Sequence, residues 1–373
     1  MTVVARHLYV HLPFCAHRCG YCDFVTAVGR QSQHGDYVEA LLAELDLERG
    51  VLAPELETVF LGGGTPTFTE PHALKRLLAA LPPASEVTVE ANPETVTQEL
   101  AHMLRDQGVN RISLGVQSFR PRLLEVLDRV VQTDTVRRAF YHLRDAGFDN
   151  ISFDLIYGIP GQAASDLDAD LADALELGPE HLSCYELEAK PGTRFTHAHG
   201  DELERQAEAM ESYVELVVAR LTGAGYRWYE TANFCRASER PWLRDLRSRH
   251  NLAYWLGRDY LGLGVGAVST IAGRRWRNTP RLAGYMDALQ RETVPEREIE
   301  PLSHDVLRRE RVMLGLRLDE PLELGDLAGV VDGRAVSRLE LLGLVRSDGE
   351  RQTLALTRRG RFLGGGVTAD LLT

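Results

Sequence analysis

Three cysteines within eight residues, Cys15-Ala-His-Arg-Cys19-Gly-Tyr-Cys22, form the densest group of metal ligands in the chain. Thiolates are soft donors, suited to iron–sulfur clusters or zinc and not to magnesium or calcium. The C-x3-C-x2-C spacing lets one loop wrap three corners of a [4Fe–4S] cubane, and the fourth iron has no protein ligand within the motif. An open iron is what a substrate-binding cluster needs, much as a catalytic zinc keeps a vacant position. The same loop would also serve a zinc site, with His11, His17 or Asp23 as fourth ligand. Structural zinc usually draws on a second, distant pair, however, and Cys184 and Cys235 stand alone and read as buried thiols.

Further polar residues fall where short apolar runs end. Gly62-Gly63-Gly64-Thr65-Pro66 offers a backbone that can approach a ligand closely and adopt positive φ. No Gly-Lys-Ser/Thr follows, which disfavours a phosphate-binding P-loop, and a plain turn is the other reading. Glu90, Gln117, Arg129 and Asp154 each lie at or just past such a run. A charge inside an apolar strand is costly unless partnered. Each alone would pass for an ion pair or a cap; four at one rim favour a ligand site. His250-Asn251-Leu-Ala-Tyr254-Trp255 places His250 and Tyr254 one helical turn apart on one face. Taken alone, these residues read as core aromatics with His250 as a hydrogen-bonded partner.

Elements with a repeating order must position these groups. Strand-like runs at 8–12, 58–61, 86–90, 111–116, 151–157 and 181–187 alternate with amphipathic stretches at 36–48, 71–81, 97–107, 133–146 and 165–177. That alternation predicts an α/β fold of six βα units around a parallel sheet, either a partial (β/α)6 barrel or an open sheet, with chemistry at the carboxyl ends of the strands. Beyond about residue 203 the pattern changes to a long helix (204–221), an aromatic strand (226–234), an Arg-rich segment (236–249) and a glycine-punctuated run (260–267). The last 70 or so residues read as three helices and a two-stranded ribbon, 344–346 and 353–356, which suits a winged-helix-like domain. We therefore expect a core at 1–200, a linking α+β region at 201–300 and a C-terminal domain at 301–373.

The balance of charge narrows the function. A net charge of −12 argues against a protein that coats nucleic acid or anionic lipid, so Arg346, Arg351, Arg358, Arg359 and Arg361 read as a solvated or docking face. No apolar run approaches the ~18 residues of a membrane span, and the first residues have no signal-peptide layout. An odd cysteine count without a secretion signal argues against a disulfide framework. The expected compartment is the cytoplasm.

Tyr9-Val-His-Leu-Pro-Phe-Cys15-x3-Cys19-Gly-Tyr21-Cys22-Asp-Phe24 resembles the opening of radical S-adenosylmethionine (SAM) proteins, in the branch of the oxygen-independent coproporphyrinogen dehydrogenases and the HemW-type heme chaperones. The likeness continues through the later motifs. It implies a radical SAM barrel with a [4Fe–4S] cluster on Cys15, Cys19 and Cys22, electron transfer into the sulfonium of SAM, and homolysis to a 5′-deoxyadenosyl radical. It also implies SAM contacts at Tyr9, Tyr21, Gly63, Gly64, Thr65, Glu90, Gln117, Arg129 and Asp154. Where the family usually reads Leu-Gly-Arg-x-His, this chain has Leu127-Asp128-Arg129-Val130-Val131, which puts the local geometry in question. The dehydrogenase pattern carries a fourth cysteine where Phe24 stands and a longer arm before the cluster loop. The chaperone branch carries His-Asn-x-x-Tyr-Trp, which implies heme contact at His250, Tyr254 and Trp255. The resemblance thus favours heme binding and transfer over oxidative decarboxylation of coproporphyrinogen III. It implies heme-acceptor proteins and an electron donor as partners, transient membrane contact, and a dimer on heme loading.

Overall fold

The computed structural model describes residues 4–129, 133–188, 194–237 and 244–372. β1 (His7–Leu12) leads into two short strands, β2 (Phe14–Cys15) and β3 (Ala27–Val28), which pair in parallel and close the base of the cysteine loop. β4 (Leu56–Gly63), β5 (Ala84–Ala91), β6 (Arg111–Gln117), β7 (Ile151–Tyr157) and β8 (His181–Glu186) follow as parallel neighbours of β1. Helices α1 (His34–Glu48), α2 (Pro71–Ala80), α3 (Gln98–Asp106), α4 (Pro121–Val126), α5 (Thr133–Asp145) and α6 (Ala164–Leu177) connect them. These are the six βα units of a partial (β/α)6 barrel.

Alternation along each strand explains why the sheet curls around a polar interior. Leu8, Val10, Val59, Leu61, Val89, Ile112, Leu114, Phe153 and Leu182 point outward into one apolar core with the helices. The other face carries His7, Tyr9 and His11 on β1, Thr58 and Phe60 on β4, Glu86 and Glu90 on β5, Arg111 and Ser113 on β6, Asp154 on β7, and His181 and Ser183 on β8. Registered pairs such as His7↔Thr58, Thr58↔Glu86 and Asp154↔Ser183 bring these residues together in layers. The period of two thus separates helix packing from lumen chemistry.

The structure departs from the sequence reading in the second half. The aromatic run at 226–234 is not one strand. It is a hairpin of β9 (Tyr226–Trp228) and β10 (Asn233–Arg236), broken by a turn in which Glu230 accepts from Asn233 Nδ2 at 2.6 Å. The sheet also extends past six strands. β11 (Tyr260–Leu263) pairs in parallel with β1, and β12 (Val268–Ile271), β13 (Arg274–Asn278) and β14 (Arg297–Pro301) continue it antiparallel, giving twelve strands. α7 (Arg194–Gly223) is longer than its apolar periodicity suggested. α8 (Arg249–Trp255) precedes the added strands and packs beside β4, and α9 (Leu282–Gln290) lies between β13 and β14 and packs on α1.

The last segment has its own apolar cluster around Val312, Leu339, Leu354 and Leu371. α10 (His304–Gly315) and α11 (Gly333–Leu341) pack on a ribbon in which a short third strand, β15 (Leu322–Glu323), joins β16 (Val345–Asp348) and β17 (Thr353–Leu356). Two short helices, α12 (Arg358–Phe362) and α13 (Gly364–Leu371), follow the ribbon where the sequence suggested none. Arg361 lies over the Trp228 ring at 3.6 Å and donates to the Trp228 carbonyl at 2.8 Å, so it docks this segment on the hairpin.

Candidate functional site

The cysteine loop leaves the carboxyl end of β1 and is held at its base by main-chain and side-chain bonds. Ala27 N donates to Pro13 O at 2.7 Å, and His11 Nε2 donates to Val25 O at 2.8 Å. With its proton on Nε2, His11 accepts from Tyr9 OH on Nδ1 at 3.0 Å. Both nitrogens of His11 are therefore engaged in holding the loop. Cys15, Cys19, Cys22 and Tyr21 line a cavity of ≈700 Å³ with Gly63, Gly64, Thr65, Glu90, Gln117, Arg129 and Asp154. Every expected SAM contact is thus gathered here except Tyr9, which borders a separate, smaller cavity.

Burial pushes the three thiols above their ordinary pKa, so a metal must displace their protons on binding. Thr65 Oγ1 lies 3.7 Å from Cys15 Sγ. Among the described residues no three His, Cys, Asp or Glu side chains converge as a single-ion site requires. A cubane gives each thiolate its own iron and does not need that convergence.

The glycine run passes so close to β1 that side chains are excluded. Gly63 has φ +110°, and a Cβ there would fall 2.5 Å from the His11 ring. A Cβ on Gly64 would lie 2.6 Å from the Pro13 carbonyl. Gly63 N donates to Glu90 Oε2 at 3.1 Å. Glu90 makes no ion pair among the described residues, and burial with the nearby Asp154 charge pushes its pKa up to about 7. Asp154, also raised by burial, accepts from Ser113 Oγ at 3.1 Å. Two under-compensated carboxylates in one lumen favour a cationic ligand.

Arg129 provides the opposite charge. Arg129 is 5% exposed; its guanidinium donates to Asn92 Oδ1 at 3.1 Å and Gly115 O at 3.0 Å and lies 3.8 Å from Glu94, yet among the described residues its buried Nε has no partner. A buried unpaired donor beside a cavity costs about 1–3 kcal/mol and points to an absent acceptor. Gln117 sits at φ +66° beside a register shift in β6, an uncommon conformation for a residue with a side chain. Asp128 adopts φ +55°, the left-handed conformation that glycine takes without strain. Asp128 thus holds, just before Arg129, a turn that glycine would take freely. Val130 and Val131 lie outside the described residues.

The His-Asn-x-x-Tyr-Trp segment forms α8, at the amino ends of the strands. Glu86 accepts from Arg249 N and His250 N, both at 3.1 Å, and Ser248 caps the helix. His250 is 1% exposed and stacks on Phe60 at 5.1 Å. Its Nδ1 bonds Thr58 Oγ1 at 2.7 Å and its Nε2 bonds Tyr254 OH at 3.0 Å. Burial pushes its pKa down to about 3, so the ring is neutral. Tyr254 borders the smaller cavity, ≈210 Å³, with Tyr9, Asp23, Phe24, Tyr260 and Arg277. Trp255 turns the other way, toward Tyr229, Leu252 and Leu318, under Arg317 at 4.3 Å. The motif's three residues therefore do not share one surface.

Sequence reasoning missed Asn92, which donates to Thr65 Oγ1 at 3.0 Å and so ties the glycine run to Arg129. Its signal was its place two residues after Glu90 at a strand end, before a proline. Arg111, 1% exposed in the lumen, was also missed although it is a charge at the start of an apolar strand. Cys184 faces the helices and Cys235 the α8 cluster, both buried.

The radical SAM superfamily model matches residues 9–174. The heme chaperone HemW of Mycobacterium tuberculosis is 37% identical over 377 residues, covering 98% of this chain and 94% of the relative. The heme chaperone HemW of Bacillus subtilis is 34% identical, covering 98% of this chain and 99% of the relative. The HemW of Escherichia coli is 36% identical over 79% of this chain and 78% of its own. Among solved structures, the coproporphyrinogen III oxidase HemN of Escherichia coli, a radical SAM enzyme, superposes with a TM-score of 0.81 at 24% identity, over 99% of this chain and 91% of that one. At that identity the likeness speaks for the fold.

Proposed function

This chain belongs to the heme chaperone HemW family of radical SAM proteins, and from that premise we propose that it binds a [4Fe–4S] cluster, SAM and heme, and passes the heme to acceptor proteins. The observation that carries the reading is similarity at 37% identity over 98% of the chain to a heme chaperone. The residues fit the cofactors. Cys15, Cys19 and Cys22 would hold three irons, and the unpaired Arg129 Nε would meet the carboxylate of SAM. Glu90 and Asp154 would face its cationic and ribose parts, Gly63, Gly64 and Thr65 its amino group, and Gln117 its carboxylate side. Tyr21 would pack beside them. When bound and reduced, the cluster supplies an electron to the sulfonium of SAM. The chain's own part is to orient that ligand between opposite charges.

Phe24 stands where the dehydrogenases carry a fourth cysteine, and it is 62% exposed. Heme would be received near His250, Tyr254 and Trp255. Partners would be heme-acceptor proteins and an electron donor, with transient membrane contact and dimerisation on heme loading. No helix among the described residues is long and apolar enough to cross a membrane. We assign the cytoplasm, where Cys184 and Cys235 would also stay reduced.

Heme transfer tests the reading. Hemin-loaded protein mixed with apomyoglobin should give holomyoglobin at a rate above that of free hemin release. A chain that takes up no hemin, or never yields it, would sink the proposal.

A further inference from the structure

Arg111 is the single lysine or arginine on β1, β4, β5, β6, β7, β8 and β11, the strands that run parallel. It faces the lumen and is 1% exposed, and among the described residues its Nε has no partner. Thr88, its registered neighbour on β5, is fully buried and its Oγ1 is likewise unpaired. A buried, incompletely bonded guanidinium is costly unless surrounding charge compensates it.

The carboxylates around it supply that charge. On β5, Glu86 sits one lumen-facing position below Thr88 and Glu90 one above. On β7, Asp154 accepts from Ser113, the next lumen-facing residue after Arg111. The positive charge of Arg111 favours the ionised form of all three, against the burial that raises their pKa. Arg111 also faces His181 on β8, His250 on α8 and Tyr229, and burial keeps these uncharged. Tyr9, Tyr185, Tyr254 and Cys184, the neighbours of Glu90 and Asp154, are held protonated in the same way. One fixed cation thus stands beneath two carboxylates that border the larger cavity, and it does not border that cavity itself. Resting on the SAM-binding reading, we propose that Arg111 is a positioning residue for SAM, the counter-charge beneath Glu90 and Asp154 that never touches the ligand.

A counter-charge in this place has two opposed effects on a cationic ligand. It favours the ionised carboxylates that attract the ligand, and it repels the ligand itself. The first effect dominates where the carboxylates would otherwise hold protons. The second is all that remains where they are ionised in any case. Loss of the charge should therefore weaken binding at low pH and not at high pH. A residue that only packed the lumen would act alike at both.

The test is SAM calorimetry on the cluster-reconstituted full chain, with each variant read as a ratio to wild type at the same pH. The titration of SAM itself, and the charge of Cys22 near Glu90, then cancel. Arg111→Met should bind SAM about tenfold more weakly at about pH 6, as when a carboxylate midpoint rises by about one unit, and no more weakly than wild type at about pH 9. Arg111→Lys, which keeps the charge, should stay within about twofold of wild type throughout. Arg111→Gln repeats the measurement with a polar side chain in place of Met. An equal loss at every pH, no loss at low pH, or neutral variants that assemble no cluster would overturn the assignment of Arg111 alone. A cluster-replete wild type without affinity for SAM would overturn the SAM-binding reading beneath it.

Discussion

The two cavities meet at Asp23 and Phe24 but follow opposite rules. Around the larger one, some polar groups are left unmet among the described residues: Arg129 pairs with Glu94 through Nη2 but its Nε has no partner, Glu90 has no ion pair, and Gln117 is held at positive φ. Behind the smaller one, Tyr254 is bonded to His250, and His250 and His7 both bond Thr58. The first arrangement suits a resident cofactor, for which several fixed charges wait. The second leaves no member of that buried chain waiting for a ligand.

The contrast can be broken most sharply at the cysteines. Cys19→Ala should abolish reconstituted cluster, seen as loss of iron and of the cluster's visible absorption, while hemin uptake persists. Loss of both would show that the cavities are not separable. A smaller effect is expected for charge. Glu90→Gln and Arg129→Ala should each weaken SAM binding by about 1.4–2.7 kcal/mol, or roughly 10- to 100-fold by calorimetry, with hemin affinity unchanged.

Acidity gives a graded version of the same test. Burial beside Asp154 pushes Glu90 up to about 7 from 4.5, so the native state keeps a proton that the unfolded chain has released. Stability from this group is therefore full below pH 4.5 and lost as pH rises towards 7. A cationic ligand prefers the ionised form, so SAM affinity should fall about tenfold per pH unit below about 7. Glu90→Gln should flatten both profiles. The smallest effect is expected at Asp128, whose left-handed turn glycine would take freely. Asp128→Gly should change stability by no more than about 1 kcal/mol, because relief of strain is offset by added freedom in the unfolded chain. A Tm loss matching more than about 2 kcal/mol would mean that the Asp128 carboxylate, packed against Gly20, braces the cysteine loop.

Much of the larger site was legible in the sequence because its signals are local. Cys15, Cys19 and Cys22 share one loop, Gly63 and Glu90 close their strands, and Asp154 is a lone charge inside an apolar one. The six βα units were readable for the same reason. The added strand β11 was not: a run punctuated by Gly262, Gly264 and Gly266 has weak strand propensity, and only pairing with β1 makes it a strand. The hairpin at 226–236 was hidden because its turn contains no glycine or proline. Nor could spacing alone show that Tyr254 and Trp255, adjacent in sequence, face different environments. That separation depends on Thr58 and Glu86, which are nearly 200 and more than 160 residues away.

The central claim, that this fold carries heme and does not make its precursor, is tested most directly by anaerobic incubation of cluster-replete protein with coproporphyrinogen III, SAM and a reductant. The account predicts no decarboxylated product from a preparation that still delivers hemin to apomyoglobin. Formation of protoporphyrinogen would contradict it and make the chain a dehydrogenase despite Phe24.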